Sequence, residues 1–217
     1  MEYEILHQDT FPVVQLKLEK GEKINCESDA MITKRGALSI KGDIKGGIIG
    51  GLARSFLTNE SFFTQTIEAD RGCGTVMIGS GLPGSIVPLN IVEGKSFIVE
   101  KGGFLACTQG VRLETKMQGI VKGLLSKEGF FLIRLSGSGL AFISSYGAAH
   151  KFELGPGEEM FVDNGHLLAW EENMSYRMEK ASSGFVSSIT SGEGMVCRFS
   201  GPGTFYIHTL KYYAGRR

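Results

Sequence analysis

Apolar and polar residues alternate with a period of two along much of this chain. Within residues 11–18, Leu16 and Leu18 fall on one side, and Gln15 and Lys17 fall on the other. A period of two is that of a half-buried β-strand. Similar short apolar runs follow along the chain, separated by turns that often contain paired glycines. The pattern therefore predicts an all-β fold built from many short strands.

The pattern also repeats. Residues 94–107 (GKSFIVEKGGFLAC) align without a gap with residues 157–170 (GEEMFVDNGHLLAW). A weaker copy in residues 18–26 (LEKGEKINC) aligns its Gly21 with the glycine of the other two VEKG-like segments. A second repeated element contains Gly-x-Gly at 137–139 and at 201–203. Glycine tolerates the positive φ of tight turns, so we predict that each of these glycines makes a β-hairpin.

The repeats predict three jelly-roll-like β-sandwich modules packed in one compact chain. Their predicted boundaries are 1–85, 86–151 and 152–210, with a glycine-rich insertion at 41–56 and a basic tail at 211–217. Units of this size bury their sheets poorly alone, so we expect the modules to stack on one another.

The charge balance and the apolar runs of the sequence argue against nucleic-acid binding and against a membrane helix. Lys plus Arg (23) balance Asp plus Glu (23), which argues against a strongly basic nucleic-acid surface. The one stretch that mixes aromatic and basic residues is the tail 211–217, and such tails are usually solvated. We find no apolar run of the ~20 residues that a membrane helix needs, and no export signal. The chain is expected to be cytoplasmic, with four free and mostly buried cysteines.

Histidines provide the main candidate chemistry. His150, His166 and His208, with Glu158, could converge in a barrel mouth and form a cupin-like metal or small-molecule site. The chain has no HxH or HExxH spacing, so a histidine with a structural hydrogen bond is the alternative. Asp163 and His166 are the residues of the third repeat that packing does not explain.

Other candidate motifs have simpler explanations. Cys197 stands beside Arg198, but the repeat predicts it as a buried strand residue. Glu158 and Glu159 are adjacent, and neighbouring residues of a strand face opposite ways. The G-x-G-x-x-G at 79–84 leads into a predicted strand, whereas a dinucleotide-binding turn opens a helix.

The repeats resemble a known family. Residues 157–170 resemble the GE-x-x-x-VD-x-GH-x-x-A signature of the altered-inheritance-of-mitochondria (mitochondrial biogenesis) family. Residues 46–63 resemble its GG…GGL-x-R…E-x-x-F stretch, and residues 192–203 its GEG…F-x-GPG element. His208 stands where a glutamine is common in the family.

This resemblance implies an all-β chain of three modules related to the tryptophan RNA-binding attenuation protein, with three chains closing into a ring-like trimer. It also implies a link to mitochondrial inner-membrane organisation for the mitochondrial relatives. Binding of tryptophan or RNA does not carry over, because a shared fold does not imply a shared function.

We therefore predict a non-enzymatic, oligomeric scaffold or interaction protein, expected to be a homotrimer, with no catalytic, cofactor-binding or metal-binding residue. The first alternative is the cupin-like metal or small-molecule protein, which could be an enzyme. The second alternative is a nucleic-acid-binding ring.

Overall fold

The computed structural model describes residues 1–44, 63–117, 131–180 and 195–211. The residues outside these ranges include most of the predicted insertion (45–56) and most of the family-like stretch 46–63. They also include the family-like residues 192–194 and the tail residues 212–217. Within the described ranges, the chain forms nineteen β-strands and two short 3-10 turns. An all-β fold is therefore confirmed.

The strands of the first half are β1 (Glu2–Leu6), β2 (Val13–Leu18), β3 (Lys23–Glu27), β4 (Met31–Gly36), β5 (Ser39–Ile44), β6 (Phe63–Glu68), β7 (Gly74–Gly79), β8 (Ile86–Ile91), β9 (Phe97–Glu100) and β10 (Phe104–Thr108). Those of the second half are β11 (Val111–Met117), β12 (Phe131–Gly137), β13 (Gly139–Ser144), β14 (Ala149–Leu154), β15 (Glu159–Asp163), β16 (Leu167–Glu171), β17 (Ser175–Lys180), β18 (Met195–Ser200) and β19 (Gly203–His208). The 3-10 turns, Lys101–Gly103 and Asn164–His166, occupy matching positions between β9 and β10 and between β15 and β16.

The chain divides into two compact units. The first unit comprises Met1–Asn90, Phe104–Val111 and Ser138–Ser144, and the second comprises Ile91–Gly103, Arg112–Gly137 and Ser145–Arg217. The residues of the predicted middle module (86–151) are thus distributed over both units. The three-module boundaries stay a prediction.

The first unit contains two sheets, with strand orders β1-β2-β7-β4 and β5-β6-β3-β10-β13-β8. Its core takes apolar side chains from both sheets, which places the core between them. Leu16 and Leu18 of β2 are fully buried there, as their alternation with polar residues predicts. Ile24 and Phe142 contribute to the same cluster from the six-stranded sheet.

The second unit also contains two sheets, with strand orders β11-β12-β9-β16-β19-β14 and β15-β18-β17. Its core is largely aromatic. Phe199 of β18 stacks on Phe205 of β19 with ring centroids 4.8 Å apart, and Trp170 of β16 meets Phe199 edge-on at 5.9 Å. Trp170 is 3% exposed, so its predicted role as a core residue is confirmed.

The predicted hairpins are wrong. β2 and β3 lie in different sheets, and so do β15 and β16, which flank the predicted turn at Gly165. The Gly-x-Gly at 137–139 likewise leads from β12 in one sheet to β13 in another. These turns carry the chain from one sheet to the next. An alternating pattern gives the buried face of a strand, but not the strand beside it.

One order of pairing recurs in the sheets. β7 lies between β2 and β4, β13 between β8 and β10, and β19 between β14 and β16. In the same way, β6 lies between β3 and β5, β12 between β9 and β11, and β18 between β15 and β17.

The turns that precede β3, β9 and β15 also match. Gly21, Gly94 and Gly157 have φ angles of 91°, 83° and 81°. The following residue in each turn donates its backbone N–H to the carbonyl three residues earlier, over 2.9, 3.0 and 3.1 Å. Gly21 therefore corresponds to Gly94 and Gly157. The alignment that set it against the glycine of the later turn was displaced by one strand.

Candidate functional site

The three candidate histidines do not share one site. His166 closes a 3-10 turn, and its Nδ1 lies 2.7 Å from the backbone oxygen of His208 on β19. His150 on β14 pairs in register with Ile207, the neighbour of His208, so His150 and His208 point to opposite faces of the sheet. Over the ranges that the structure covers, no group of three His, Cys, Asp or Glu side chains is placed to hold a metal ion.

His208 is a buried, neutral histidine. Its side chain is 1% exposed, and its Nδ1 accepts the backbone N–H of Tyr146 at 2.9 Å, so the proton of the neutral ring sits on Nε2. Burial lowers the pKa of the imidazole to about 4, and the nearby His166 acts in the same direction. A hydrogen bond with the Leu167 backbone opposes this shift in pKa.

The His208 shift predicts a pH dependence of stability. Below pH 6.5 the unfolded chain binds a proton at this histidine, whereas the folded chain does so only near pH 4. The free energy of unfolding should therefore fall by about 1–2 kcal/mol between pH 7.5 and pH 5 through this group alone. Urea unfolding followed by Trp170 fluorescence measures the change.

The His208→Gln variant is the matched control, because glutamine is polar, of similar length and does not titrate. This variant should lose the His208 component and keep the pH dependence that arises from the carboxylates. An equal pH dependence in both proteins would contradict the assignment.

Asp163 and His166, which the sequence left unexplained, have structural contacts. Asp163 caps the 3-10 turn: its Oδ1 accepts the backbone N–H of Gly165 at 2.9 Å. Its Oδ2 lies 2.7 Å from the Nζ of Lys211. Glu100 makes the corresponding contact in the other 3-10 turn, accepting from the N–H of Gly102 at 2.8 Å. These contacts hold the two turns in place.

Glu158 and Glu159 also have separate partners. Oε2 of Glu158 accepts the backbone N–H of Gly155 at 2.6 Å. Both carboxylate oxygens of Glu159 contact Nη2 of Arg198, at 2.7 and 2.6 Å, and these hydrogen bonds lower the pKa of the Glu159 carboxyl. The two neighbouring carboxylates are therefore held by different groups.

The cysteines are free, as predicted, and Cys26, Cys107 and Cys197 are buried whereas Cys73 is exposed. Burial raises the pKa of the Cys197 thiol to about 11 and that of Cys26 to about 12. Because the thiolate is the nucleophile, neither of these thiols is activated at neutral pH.

Strands β4 and β15 each expose a large apolar side chain, as do β1 with Tyr3 and β5 with Ile40. β4 pairs with β7 and β15 pairs with β18, and each strand forms one margin of its sheet within the described residues. Ile32 of β4 is 53% exposed and Phe161 of β15 is 46% exposed. We call these two strands the open edges. Exposed strand margins with large apolar side chains are prone to pair with another chain.

The same β-bulge interrupts β4, β10 and β16. The register shift falls at Ile32 in β4, at Leu105 in β10 and at Leu168 in β16. The residues that follow the bulge are Thr33, Ala106 and Ala169. Leu105 and Leu168 are fully buried in strands that have a neighbour on each side. β4 thus has the bulge of these two strands, but among the described strands it has a neighbour on one side alone.

Sequence reasoning missed the open edges because strand neighbours cannot be assigned from periodicity. One signal was available in the residues themselves. β4 carries Lys34 and Arg35, whereas β10 has the apolar Cys107 and β16 has Trp170 at the position of Lys34. A lysine at this position on one of three matching strands indicates that this strand lies at a margin.

Comparisons with known proteins agree with this fold. A family model described as mitochondrial biogenesis AIM24 matches residues 3–210. An uncharacterised protein of Streptococcus pyogenes serotype M6 is 31% identical over 217 residues, covering 97% of this chain and 86% of that protein. A crystal structure of a Streptococcus pyogenes protein superposes with a TM-score of 0.77 at 28% identity, covering 97% of this chain and 94% of that chain. Among the described residues, no helix is long and apolar enough to cross a membrane.

Proposed function

The chain belongs to the mitochondrial biogenesis AIM24 family, and on that premise we propose that it is a non-enzymatic scaffold that assembles with copies of itself through its open edges. Its candidate catalytic groups support a structural role. The His208 ring and the Cys197 thiol are buried, and Asp163 and Glu159 are engaged in capping and ion pairing.

The chain is best understood as three copies of one six-stranded unit. The recurring order of strands supports this proposal: in each copy the sixth strand lies between the first and the third, and the fifth lies between the second and the fourth. The first copy is β2 to β7, the second β8 to β13 and the third β14 to β19. β1 is an additional margin strand that pairs with β2.

Neighbouring copies share sheets by edge pairing. β3 of the first copy pairs with β10 of the second, and β9 of the second pairs with β16 of the third. The next pair in this series would join β15 of the third copy to a strand that corresponds to β4. The proposal rests on this observation: two pairs of the series form within the chain, and the third needs a strand from another copy of the chain.

The other margin strands recur at the same position in more than one copy. β5, β11 and β17 end their sheets in all three copies, and β8 and β14 do so in the second and third. Among the described strands, only β4 and β15 are margins at a position that pairs with a neighbouring copy elsewhere in the chain, whereas the position of β8 and β14 is covered in the first copy by the additional strand β1.

Joining β15 of one chain to β4 of the next is a head-to-tail contact. Such contacts close into rings when the rotation permits and otherwise grow into filaments. We propose closure as a homotrimer, as the family resemblance implies, with a cytoplasmic location in keeping with free thiols at Cys26, Cys107 and Cys197.

The proposal predicts the mass of the protein in solution. Sedimentation velocity at micromolar concentration should give one species of about 70 kDa, three times the 23.5 kDa chain. A species of 23.5 kDa that persists across the accessible concentrations would contradict assembly. Stoichiometric zinc, iron or manganese in protein purified without a tag would contradict a role without metal.

A further inference from the structure

We infer, resting on the proposed self-assembly, that the head-to-tail contact has a defined register in which Arg35 of one copy binds Glu158 of the next. The pairs that the chain already makes, β3·β10 and β9·β16, are the templates. The partner of each open edge is then a second copy of this chain.

The bulge fixes the register. Ala106, which follows the bulge in β10, is opposite Cys26, and Ala169, which follows it in β16, is opposite Val99. Thr33 follows the bulge in β4. Val162 occupies the place of Val99 in the 94–107 and 157–170 repeat.

The same register can be extended along the two strands. Thr33 is therefore placed opposite Val162, Lys34 opposite Phe161, and Arg35 opposite Met160. Antiparallel strands keep such a register, because a shift by one residue would exchange the faces of every side chain.

An ion pair inside the chain marks the critical contact. Lys95, in the turn before β9, lies 2.8 Å from Glu171 at the end of β16, and the Glu171 side chain is only 7% exposed. By the repeat, Glu158 takes the place of Lys95. By the bulge, Arg35 takes the place of Glu171. The pair recurs at the open edges with its two charges exchanged.

The exchanged charges select the partner strand. Glu158 placed beside Glu171 of another β16 would face a like charge, and Arg35 placed beside Lys95 would do the same. Like charges held together at an interface cost several kcal/mol, so β15 favours β4 over the β16 strand of another copy.

Glu22 provides a precedent for the geometry, because it holds the same turn position as Glu158. One of its oxygens accepts the backbone N–H of Glu19 at 2.8 Å, and the other binds the ammonium group of Met1. Glu158 already uses Oε2 for the N–H of Gly155. Its Oε1 is therefore placed to accept a cation, and the structure assigns that role to Arg35, which has no ion-pair partner within the described ranges.

Apolar burial adds to this contact. Ile32 and Phe161 are 53% and 46% exposed, whereas Leu105, at the place of Ile32, is fully buried and Ile98, at the place of Phe161, is 5% exposed. Pairing of the open edges would bury both side chains in the same way. A lysine on a margin strand can also prevent pairing, but β4 keeps the bulge of the paired strands and displays an apolar side chain.

Charge reversal tests the contact. Arg35→Glu and Glu158→Arg should each raise the dissociation constant of the assembly at least about 30-fold, since an ionic partner is replaced by a like charge. The double variant should restore assembly, because it rebuilds the pair in the orientation of Glu171 and Lys95. Lys17→Glu, an exposed change within the first unit, is the control and should leave the mass unchanged.

Cross-linking tests the register independently of charge. In a Cys73→Ser background, Lys34→Cys combined with Phe161→Cys should form disulfides between chains on oxidation, seen as linked species on a non-reducing gel. A disulfide confined to single chains would overturn the inference. The inference would also be overturned if each charge-reversal variant assembled as the wild type does and the cysteine variant formed no cross-links. That result would leave the proposed scaffold standing. A monomeric wild type would overturn both.

Discussion

Replacing Phe199 with alanine should lower the free energy of unfolding of the second unit by about 3–5 kcal/mol. Phe199 is fully buried, it stacks on Phe205 at 4.8 Å, and it contacts the rings of Trp170 and Tyr176. Removal of the ring loses its transfer free energy and leaves a cavity that rigid aromatic neighbours fill poorly. Phe199 also lies opposite Met160 of β15, so the variant weakens the sheet that carries one open edge.

Trp170 is the one tryptophan of the chain, and its ring lies 5.9 Å from that of Phe199. Fluorescence during urea unfolding therefore reports directly on this core. Phe11→Ala is the matched control: its side chain is 69% exposed, and the free energy of unfolding should change by less than about 0.5 kcal/mol. Equal effects of the two variants would show that the aromatic cluster does not stabilise the second unit.

Replacing Gly36 with alanine should destabilise the first unit by about 2–4 kcal/mol. Gly36 ends β4 with a φ of 93°, where a side chain is strained. A Cβ atom at this position would lie 2.7 Å from the carbonyl oxygen of Cys73 and 2.8 Å from Cα of Gly74. Both atoms belong to the backbone of the paired region at β7, so the clash cannot be relieved by a side-chain rotation.

Gly42→Ala is the control for this prediction. Gly42 lies on β5, its φ is not in the positive range, and a Cβ atom there would meet no atom within 4 Å. Alanine should leave stability unchanged or raise it by about 0.4–1 kcal/mol, because it restricts the unfolded chain. Urea unfolding followed by far-ultraviolet circular dichroism measures both variants. A Gly36→Ala protein as stable as Gly42→Ala would contradict the strain at this position.

If Gly36→Ala lowers stability, it should also weaken assembly, because Gly36 ends the strand that carries Arg35. The two effects can be separated by concentration. Loss of assembly depends on protein concentration, whereas strain within a folded chain does not. The Arg35→Glu variant should lose assembly without strain in the folded chain, since Arg35 is exposed and has no described ion-pair partner.

The sequence could not predict which of the histidines lie on the same face of a sheet. His150 and His208 are both on strands, and nothing in their spacing tells whether they share a face across β14 and β19. The observed register places His150 opposite Ile207, which separates the two rings. The role of Asp163 as a cap was likewise hidden, because the 3-10 turn at Asn164–His166 could not be distinguished from a hairpin.

The sequence by itself determined the all-β class and the buried face of strands such as β2. The alternation in β2 and the burial of Trp170 follow from residue type and period, which act over neighbouring positions. Only the tertiary structure decided which strands are neighbours, because sheet pairing joins residues far apart in the chain. That pairing turned the predicted hairpins into crossings between sheets, and it revealed that β4 and β15 are left as open edges.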